Sequence, residues 1–469
     1  MMTQGSMREL IESPTLWGMI VLAVVLGLGI AMMEPTLWLL APAGLIILLI
    51  GFHSPPTALV LVVVSMLFSP EIVVGGYVGK GVGGRPVTLR LEDLLLIVIG
   101  FSWFLKVLMY KELSVFKWTP VNRPILYYLL VCFCSTLIGI LTGTVKPMAG
   151  FFYLLKYFEY FFLFFMVVNH VLRNDQVVSL GVVLLLTCFF VSLYSISQIP
   201  AGGRATAPFE GVYGEPNTLG GYLVFMMAIV TGLILYLESL PIRVVLVGLL
   251  VCILLGLFPT LSRASYVAAA VLPLSIIVTQ WRRPWVVVAA VSAVLIVGLL
   301  VPTSVKERLL FTVEQPRQSG QVVVGAYRVD TSTSDRIEAW QRSIKQWRTR
   351  PLLGHGVAST WWADAQYVKV LVESGLLGIG TFMFIVVRLW KGARWSFQNV
   401  QSPFYKGLAY GFLLGFISLL VHAIGANTFA IVRIMEPFWF VAALVMVLPT
   451  LEKTAVGLAD NREDIQSAA

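Results

Sequence analysis

Apolar runs, each close to the length needed to cross a bilayer, follow one another along almost the whole chain. A spanning helix needs about 20 mostly apolar residues. By that rule about fourteen segments stand out, near 16–33, 36–52, 57–69, 91–109, 124–142, 149–169, 177–199, 217–237, 242–259, 264–280, 285–301, 372–390, 405–424 and 431–450. Twelve or thirteen spans would also fit, and the short third run could be re-entrant. With 58% hydrophobic residues against 12% charged, a chain of this length has more apolar surface than a water-soluble core can hide, whereas lipid tails accept it. The expected fold class is therefore all-α: a polytopic integral membrane protein with about 12–14 transmembrane helices. The single membrane domain covers residues 1–469, with both termini in the cytoplasm.

The formal charge of +9 does not indicate nucleic-acid binding, because the basic residues are scattered between apolar runs rather than gathered on a soluble face. Cys132, Cys134, Cys188 and Cys252 all fall within apolar runs, with no disulfide framework or metal-binding spacing. No small-residue cleavage site follows the first run, which reads as a retained helix.

Short basic connections should face the cytoplasm. Lys106, Lys111, Lys117 and Arg123 share one such connection; Arg173, Arg243, Arg282 with Arg283, and Lys391, Arg394 and Lys406 occupy four more, all on one side of the membrane. The opposite side receives 70–90, 200–216, the turn at 260–263 and the long connection 302–371. This large extracytoplasmic loop carries ten Lys/Arg and six Asp/Glu. Within it, 314–333 is polar and turn-rich. An amphipathic helix is predicted over about 335–348, with Asp335 and Glu338 as a capping-box-like start, Ile337, Trp340, Ile344 and Trp347 on one face, and Pro351 at its end.

Three arginines on the extracytoplasmic side are the most informative feature: Arg204 in AGGRATAPFEG, Arg263 in PTLSRASY and Arg336 at the head of the amphipathic helix. Guanidinium groups keep their charge and offer a planar fork of donors, so a convergent set would suit a pyrophosphate. Spacing alone equally allows arginines that anchor helix ends by snorkelling. In GEPNTLGGY (214–222), Glu215 and Asn217 stand where a membrane helix begins, either as an ordinary entry or as a helix N-terminus aimed at an anionic headgroup. Before another span lie His355, Trp361, Trp362, Asp364, Gln366 and Tyr367. Asp364 could act as a general base on a sugar hydroxyl, with His355 as second candidate. The simpler alternatives are a helix cap and a loop residue. Trp361 and Trp362 could stack on a sugar ring or belong to an interfacial aromatic belt. Lys156 and Glu159, three apart inside a span, read as a neutralised pair or as substrate contacts. Arg90, Glu92 and Asp93 sit at the entry to the fourth span.

There is no Walker A motif, DxD or HExxH, which argues against ATP-driven, nucleotide-sugar and zinc-protease chemistry. A secondary transporter remains a rival of a different class, although no internal repeat is seen.

Four blocks, RATAPFEGVYGEPNTLGGYL (204–223), TLSRASYVAA (260–269), DRIEAWQRSIKQWRTRPLLGHG (335–356) and DAQYVKVLVESGLLG (364–378), resemble, in order, those of the O-antigen ligase and polymerase (Wzy-like) family of bacterial membrane glycosyltransferases. The resemblance implies a GT-C-like, metal-independent, inverting transferase without cofactor. Its active site would face the periplasm or cell exterior, and its donor glycan would be carried on undecaprenyl pyrophosphate held by Arg204, Arg263 and Arg336. Gln366, Tyr367, Trp340, Trp361 and Trp362 would contact sugar. The ligase branch typically has a His-Asn pair where this chain has Asp364 and Ala365, and polymerases often carry an acidic residue there. Polymerisation of repeat units into an exopolysaccharide, capsule or O-antigen is therefore the expected activity, with transfer to a lipid or protein acceptor as the alternative. Expected partners are the lipid-linked glycan and the bilayer, with a flippase and chain-length regulator proteins as further candidates; nucleic acid is not among them.

Overall fold

The computed structural model describes residues 49–50, 53–69, 71–73, 88–110, 117–210, 214–316, 318–324, 327–360 and 364–467. The predicted run 16–33 and nearly all of 36–52 lie outside them. Every other predicted span coincides with a helix. In chain order these are α1 (Pro55–Phe68), α2 (Leu91–Tyr110), α3 (Asn122–Leu141), α4 (Pro147–His170), α5 (Asn174–Ser197), α6 (Pro216–Tyr236), α7 (Leu240–Leu257), α8 (Arg263–Thr279), α9 (Pro284–Leu300), α10 (Thr303–Glu314), α11 (Thr331–Trp347), α12 (Gln366–Asn399), α13 (Pro403–Gly425) and α14 (Val432–Ser467). Among the described residues eight helices are long and apolar enough to cross a membrane: α3 to α7 and α12 to α14. The α9–α10 pair, bent by 91°, could add a ninth. The protein is thus an all-α, multi-pass membrane protein. Two short antiparallel ladders interrupt it, β1 (Glu71–Val73) with β2 (Thr88–Arg90) and β3 (Val323–Val324) with β4 (Tyr327–Arg328).

Burial ranks the helices. The apolar windows of α14, α6 and α13 are 89%, 83% and 78% buried, against 28% for α7, so the first three form the centre. Glycines let α6 and α13 approach closely: a Cβ on Gly232 would lie 2.4 Å from Gly411 N, and one on Gly411 2.7 Å from Ile229 Cα. Lipid gives no hydrophobic drive for helices to associate, so such close backbone packing supplies the cohesion.

α12 is broken at Gly375, which has φ +67°, a conformation that favours glycine. The freed backbone is satisfied by the preceding loop. Leu376 N donates to Pro351 O at 2.8 Å and Leu377 N to Leu352 O at 3.1 Å, while His355 N and Gly356 N donate to Val372 O and Glu373 O. PLLGHG is thus seated in the helix break, which joins the blocks at 335–356 and 364–378.

α11 starts earlier than its sequence suggested. Its N-cap is Asp330, whose carboxylate accepts from Thr333 N at 3.2 Å; Asp335 and Glu338 do not form the cap. The docking face also differs. Ser334, Ala339 and Ser343 are buried, Ile337, Trp340 and Trp347 half-buried, and Ile344 is exposed. Small side chains allow close approach to α12, which leaves part of the apolar stripe outward. α10 was not anticipated.

At one end of the bundle, Arg433 is fully buried and bridges three segments. Its Nη1 donates to Leu67 O and Pro208 O, each at 2.8 Å, its Nη2 to Ser69 O at 3.0 Å, and its Nε faces Glu210 Oε1 at 3.7 Å. Glu210 in turn accepts from Ala207 N and Glu215 N. The connection carrying Arg204 is thereby pinned to α14. Removing one member of such a buried pair strands the other charge, so Arg433→Met is expected to destabilise the fold by about 3–5 kcal/mol. Thermal unfolding in detergent would show this as a lowered midpoint, partly recovered by adding Glu210→Gln.

Candidate functional site

Helix alternation gathers the C-terminal ends of α5, α7, α9 and α13 and the N-terminal ends of α6, α8, α12 and α14 at one end of the bundle. Arg204, Arg263, Arg336 and Asp364 all lie there. The basic connections around Lys117, Arg173, Arg243 and Arg282 lie at the other end.

Arg204 is held against the turn between α7 and α8. Its Nε donates to Thr260 O at 3.2 Å and its Nη2 to Leu261 O at 3.3 Å, and Ala205 N donates to Pro259 O at 2.8 Å. Leu261 adopts φ +47°, a left-handed conformation uncommon for a non-glycine residue, which turns the chain into α8. Ser262 caps α8 by accepting from Ser265 N, and Arg263 is the first residue of the helix. The Arg263 guanidinium reaches across to the large loop. Nη1 donates to Thr312 Oγ1 at 2.7 Å and Nη2 pairs with Asp330 Oδ2 at 2.9 Å. Thus the N-cap of α11 also locks Arg263, and α11 in turn carries Arg336. Arg336 makes no hydrogen bond or ion pair among the described residues, although Asp364 is within electrostatic reach.

The three guanidinium groups influence one another, and a fourth joins them. Burial first, then the charges of Arg308, Arg336 and Arg263, lower the proton affinity of Arg204. Arg336 is lowered likewise, by burial and by Arg263 and Arg308, against the opposing pull of Asp364 and Asp330. Asp330 moves the other way: burial would raise it, but hydrogen bonds from Arg263 and Thr333 and the Arg263 charge hold it below the usual carboxylate value. Guanidinium groups stay charged through shifts of this kind. The result is a partly desolvated cluster of four cations answered nearby by two carboxylates, a setting that favours a polyanion. Arg308 comes from α10, which the bend after α9 turns back over the site. Two buried donors in the elements around it, Arg308 Nε and Trp340 Nε1, have no acceptor among the described residues.

The other candidates are distributed as follows. Glu215 is the N-cap residue of α6, without a side-chain cap, and Asn217 lies in its first turn, where its Oδ1 accepts from Ser262 Oγ at 2.7 Å. Gln366 is fully buried; its Oε1 accepts from Phe429 N at 3.1 Å, and its Nε2 has no partner among the described residues. Tyr367 donates its hydroxyl to Leu420 O at 2.7 Å, a contact between α12 and α13. Asp364 is half-buried and is not the N-cap of α12, a position held by Ala365. Trp361 and Trp362 lie outside the described residues. His355 is buried, and its Nε2 is within 2.9 Å of Gln346 O and 3.0 Å of Thr349 Oγ1, which fastens the end of α11 to the following loop. Among the described residues no group of three or more His, Cys, Asp or Glu is arranged to hold a metal ion.

Lys156 and Glu159 are paired at 3.2 Å, and Lys156 also reaches Asp93 at 2.5 Å, so the charges at the start of α2 and within α4 form one buried network beside Arg90–Glu92. Glu436 on α14, fully buried and with both carboxylate oxygens unpartnered among the described residues, lies within electrostatic reach of Glu92 and Glu159.

Residues 248–383 match the family model Wzy_C, described as O-antigen ligase. The matched segment runs from within α7 to within α12. It contains Arg263, Arg308, Arg336 and Asp364 and three of the four blocks on which the resemblance rests, leaving the Arg204 block outside. No curated protein matches the chain.

Proposed function

We propose, on the premise that residues 248–383 carry the O-antigen ligase pattern, that this chain is an inverting, metal-independent glycosyltransferase that polymerises undecaprenyl-pyrophosphate-linked repeat units. Its site faces the outer leaflet of the cytoplasmic membrane. The observation that supports the reading most is the electrostatic convergence of Arg204, Arg263, Arg308 and Arg336 from distant stretches of chain.

In the proposed reaction an acceptor hydroxyl of one repeat unit attacks the anomeric carbon of a second glycan. The new glycosidic C–O bond forms as the bond from that carbon to the phosphate oxygen breaks, and the electron pair leaves with undecaprenyl pyrophosphate. Arginines fixed in a partly desolvated site stabilise the charge growing on the leaving group without reorganising at the moment of reaction. The Asp364 carboxylate takes the acceptor proton, and its electrostatic influence on Arg336 supports a base near the leaving-group site. His355 is the reserve candidate, though its Nε2 already faces Gln346 O. Trp340, Trp361 and Trp362 are the proposed sugar contacts, whereas Gln366 and Tyr367 are engaged in contacts between helices. A flippase and a chain-length regulator are the proposed protein partners.

The family description favours a second reading, transfer of a finished glycan to a lipid or protein acceptor. Asp364-Ala365, in place of the His-Asn pair typical of that branch, favours polymerisation. Purified protein incubated with a lipid-linked repeat unit is expected to yield a ladder on the lipid carrier. Release of undecaprenyl pyrophosphate only when a separate acceptor is added would favour ligation, and no consumption of the donor in either case would reject glycan transfer.

A further inference from the structure

Beneath the arginines, five polar side chains form one chain of hydrogen bonds. His422 Nδ1 lies 2.8 Å from Thr428 Oγ1, His422 Nε2 lies 3.1 Å from Ser265 Oγ, Ser265 Oγ lies 2.7 Å from Ser262 Oγ, and Ser262 Oγ lies 2.7 Å from Asn217 Oδ1. Thr428, His422, Ser265 and Ser262 are completely buried, so each hydroxyl proton must find a protein acceptor.

That requirement gives the chain a direction. Among the described residues the only other acceptor for the Thr428 hydroxyl is Ala426 O at 3.5 Å, too long for a sound O–H···O bond. Thr428 therefore donates to His422 Nδ1. A neutral imidazole carries one proton, which then sits on Nε2 and is donated to Ser265 Oγ. The Ser265 proton passes to Ser262 Oγ, which also accepts from Ser265 N at 3.3 Å. With both lone pairs engaged, Ser262 donates its own proton to Asn217. The carboxamide oxygen of Asn217 is thus turned inward, and its NH2 group makes no hydrogen bond among the described residues.

The glycine pair of GEPNTLGGY fits this path. A Cβ on Gly220 would lie 2.1 Å from Ser265 Oγ, and one on Gly221 would lie 3.1 Å from His422 Cε1. Only a bare backbone lets α6 run this close to the two side chains that carry the relay. The other end adjoins the site, because Ser262 directly precedes Arg263 and caps the helix that Arg263 begins.

We infer that His422, with Ser265 and Ser262, is a positioning element: its Nε2–H tautomer fixes the Asn217 carboxamide so that the NH2 group donates to a phosphate oxygen of a pyrophosphate held by the arginine cluster. The inference rests on the proposed function and adds to it a neutral donor whose orientation is set from inside the bundle. A half-buried amide already held by a relay loses little rotamer freedom when the ligand arrives.

The test is equilibrium binding of undecaprenyl pyrophosphate to the full chain in detergent micelles. Asn217→Ala is expected to weaken binding about 10-fold, as for loss of a hydrogen bond to a charged group. Ser262→Ala and His422→Leu should each weaken it several-fold, yet add nothing once Asn217 is already alanine. His422→Gln, which can still donate toward Ser265 and accept from Thr428, should recover most of the loss. Nitrogen-15 spectra of labelled histidine, assigned with His422→Gln, should show the Nε2–H tautomer. Full additivity of Ser262→Ala with Asn217→Ala, unchanged binding by Asn217→Ala, or an Nδ1–H tautomer would overturn the inference. If Arg336→Ala weakens binding while Asn217→Ala does not, the relay fails alone; if neither does, the pyrophosphate reading fails with it.

Discussion

Arg336→Ala is expected to reduce polymer formation by about 100-fold or more, with little change in protein level or thermal midpoint. The magnitude is that of removing one preorganised donor from a site where charge develops in the transition state. The lack of a stability effect follows from the structure, since the Arg336 guanidinium makes no hydrogen bond or ion pair among the described residues. This separates it from its neighbours. Arg263→Ala also breaks the pair with Asp330 and the bond to Thr312, and Arg204→Ala releases two backbone carbonyls of the α7–α8 turn. Both therefore confound activity with folding. Arg336→Lys should recover only part of the rate, because an ammonium keeps the charge but loses the planar fork. Normal polymer from Arg336→Ala at normal protein levels would remove this residue from the site.

Asp364→Asn should lower the rate of glycan transfer by about 100- to 10,000-fold, the range for loss of a positioned general base. The variant also separates two roles. If Asp364 accepts the proton, the rate falls while the apparent affinity for donor holds or improves, since a carboxylate competing for Arg336 has gone. If Asp364 only neutralises Arg336, donor affinity improves and the rate is maintained. His355→Gln is expected to be mild by comparison, because the ring is occupied in fastening Gln346 and Thr349 to the loop seated in the α12 break.

The contrast between Arg336 and Arg308 shows what the sequence could reveal and why the rest stayed hidden. Spans such as 217–237 and 405–424 were legible because lipid demands long apolar runs, and that demand is written residue by residue. Arg204 and Arg263 were legible because each interrupts or follows such a run at one side, and Arg336 because it stands at the head of an amphipathic pattern. Arg308 was not, since TSVKERLLFTVE reads as an ordinary charged loop until the 91° bend after Leu300 turns it back over the site. The start of α11 was misplaced because Asp330 is chosen as cap partly through its pair with Arg263, a contact distant in sequence. His422, Arg433 and Glu436 had a local signal that went unused: ionisable side chains inside apolar runs are costly and serve a purpose by default. The partners of His422 and Arg433 could not have been named from the sequence, since Ser265, Glu210 and Leu67 meet them only through packing of segments distant in the chain.

That four arginines form a pyrophosphate site is tested most directly by titrating undecaprenyl pyrophosphate into purified protein and into variants carrying alanine at position 204, 308 or 336. Binding should weaken about 10-fold or more for each replacement and decline further as salt rises, because charge-assisted contacts are lost or screened. Affinity that stays at the wild-type value in all three variants, and at every salt concentration, would contradict the account.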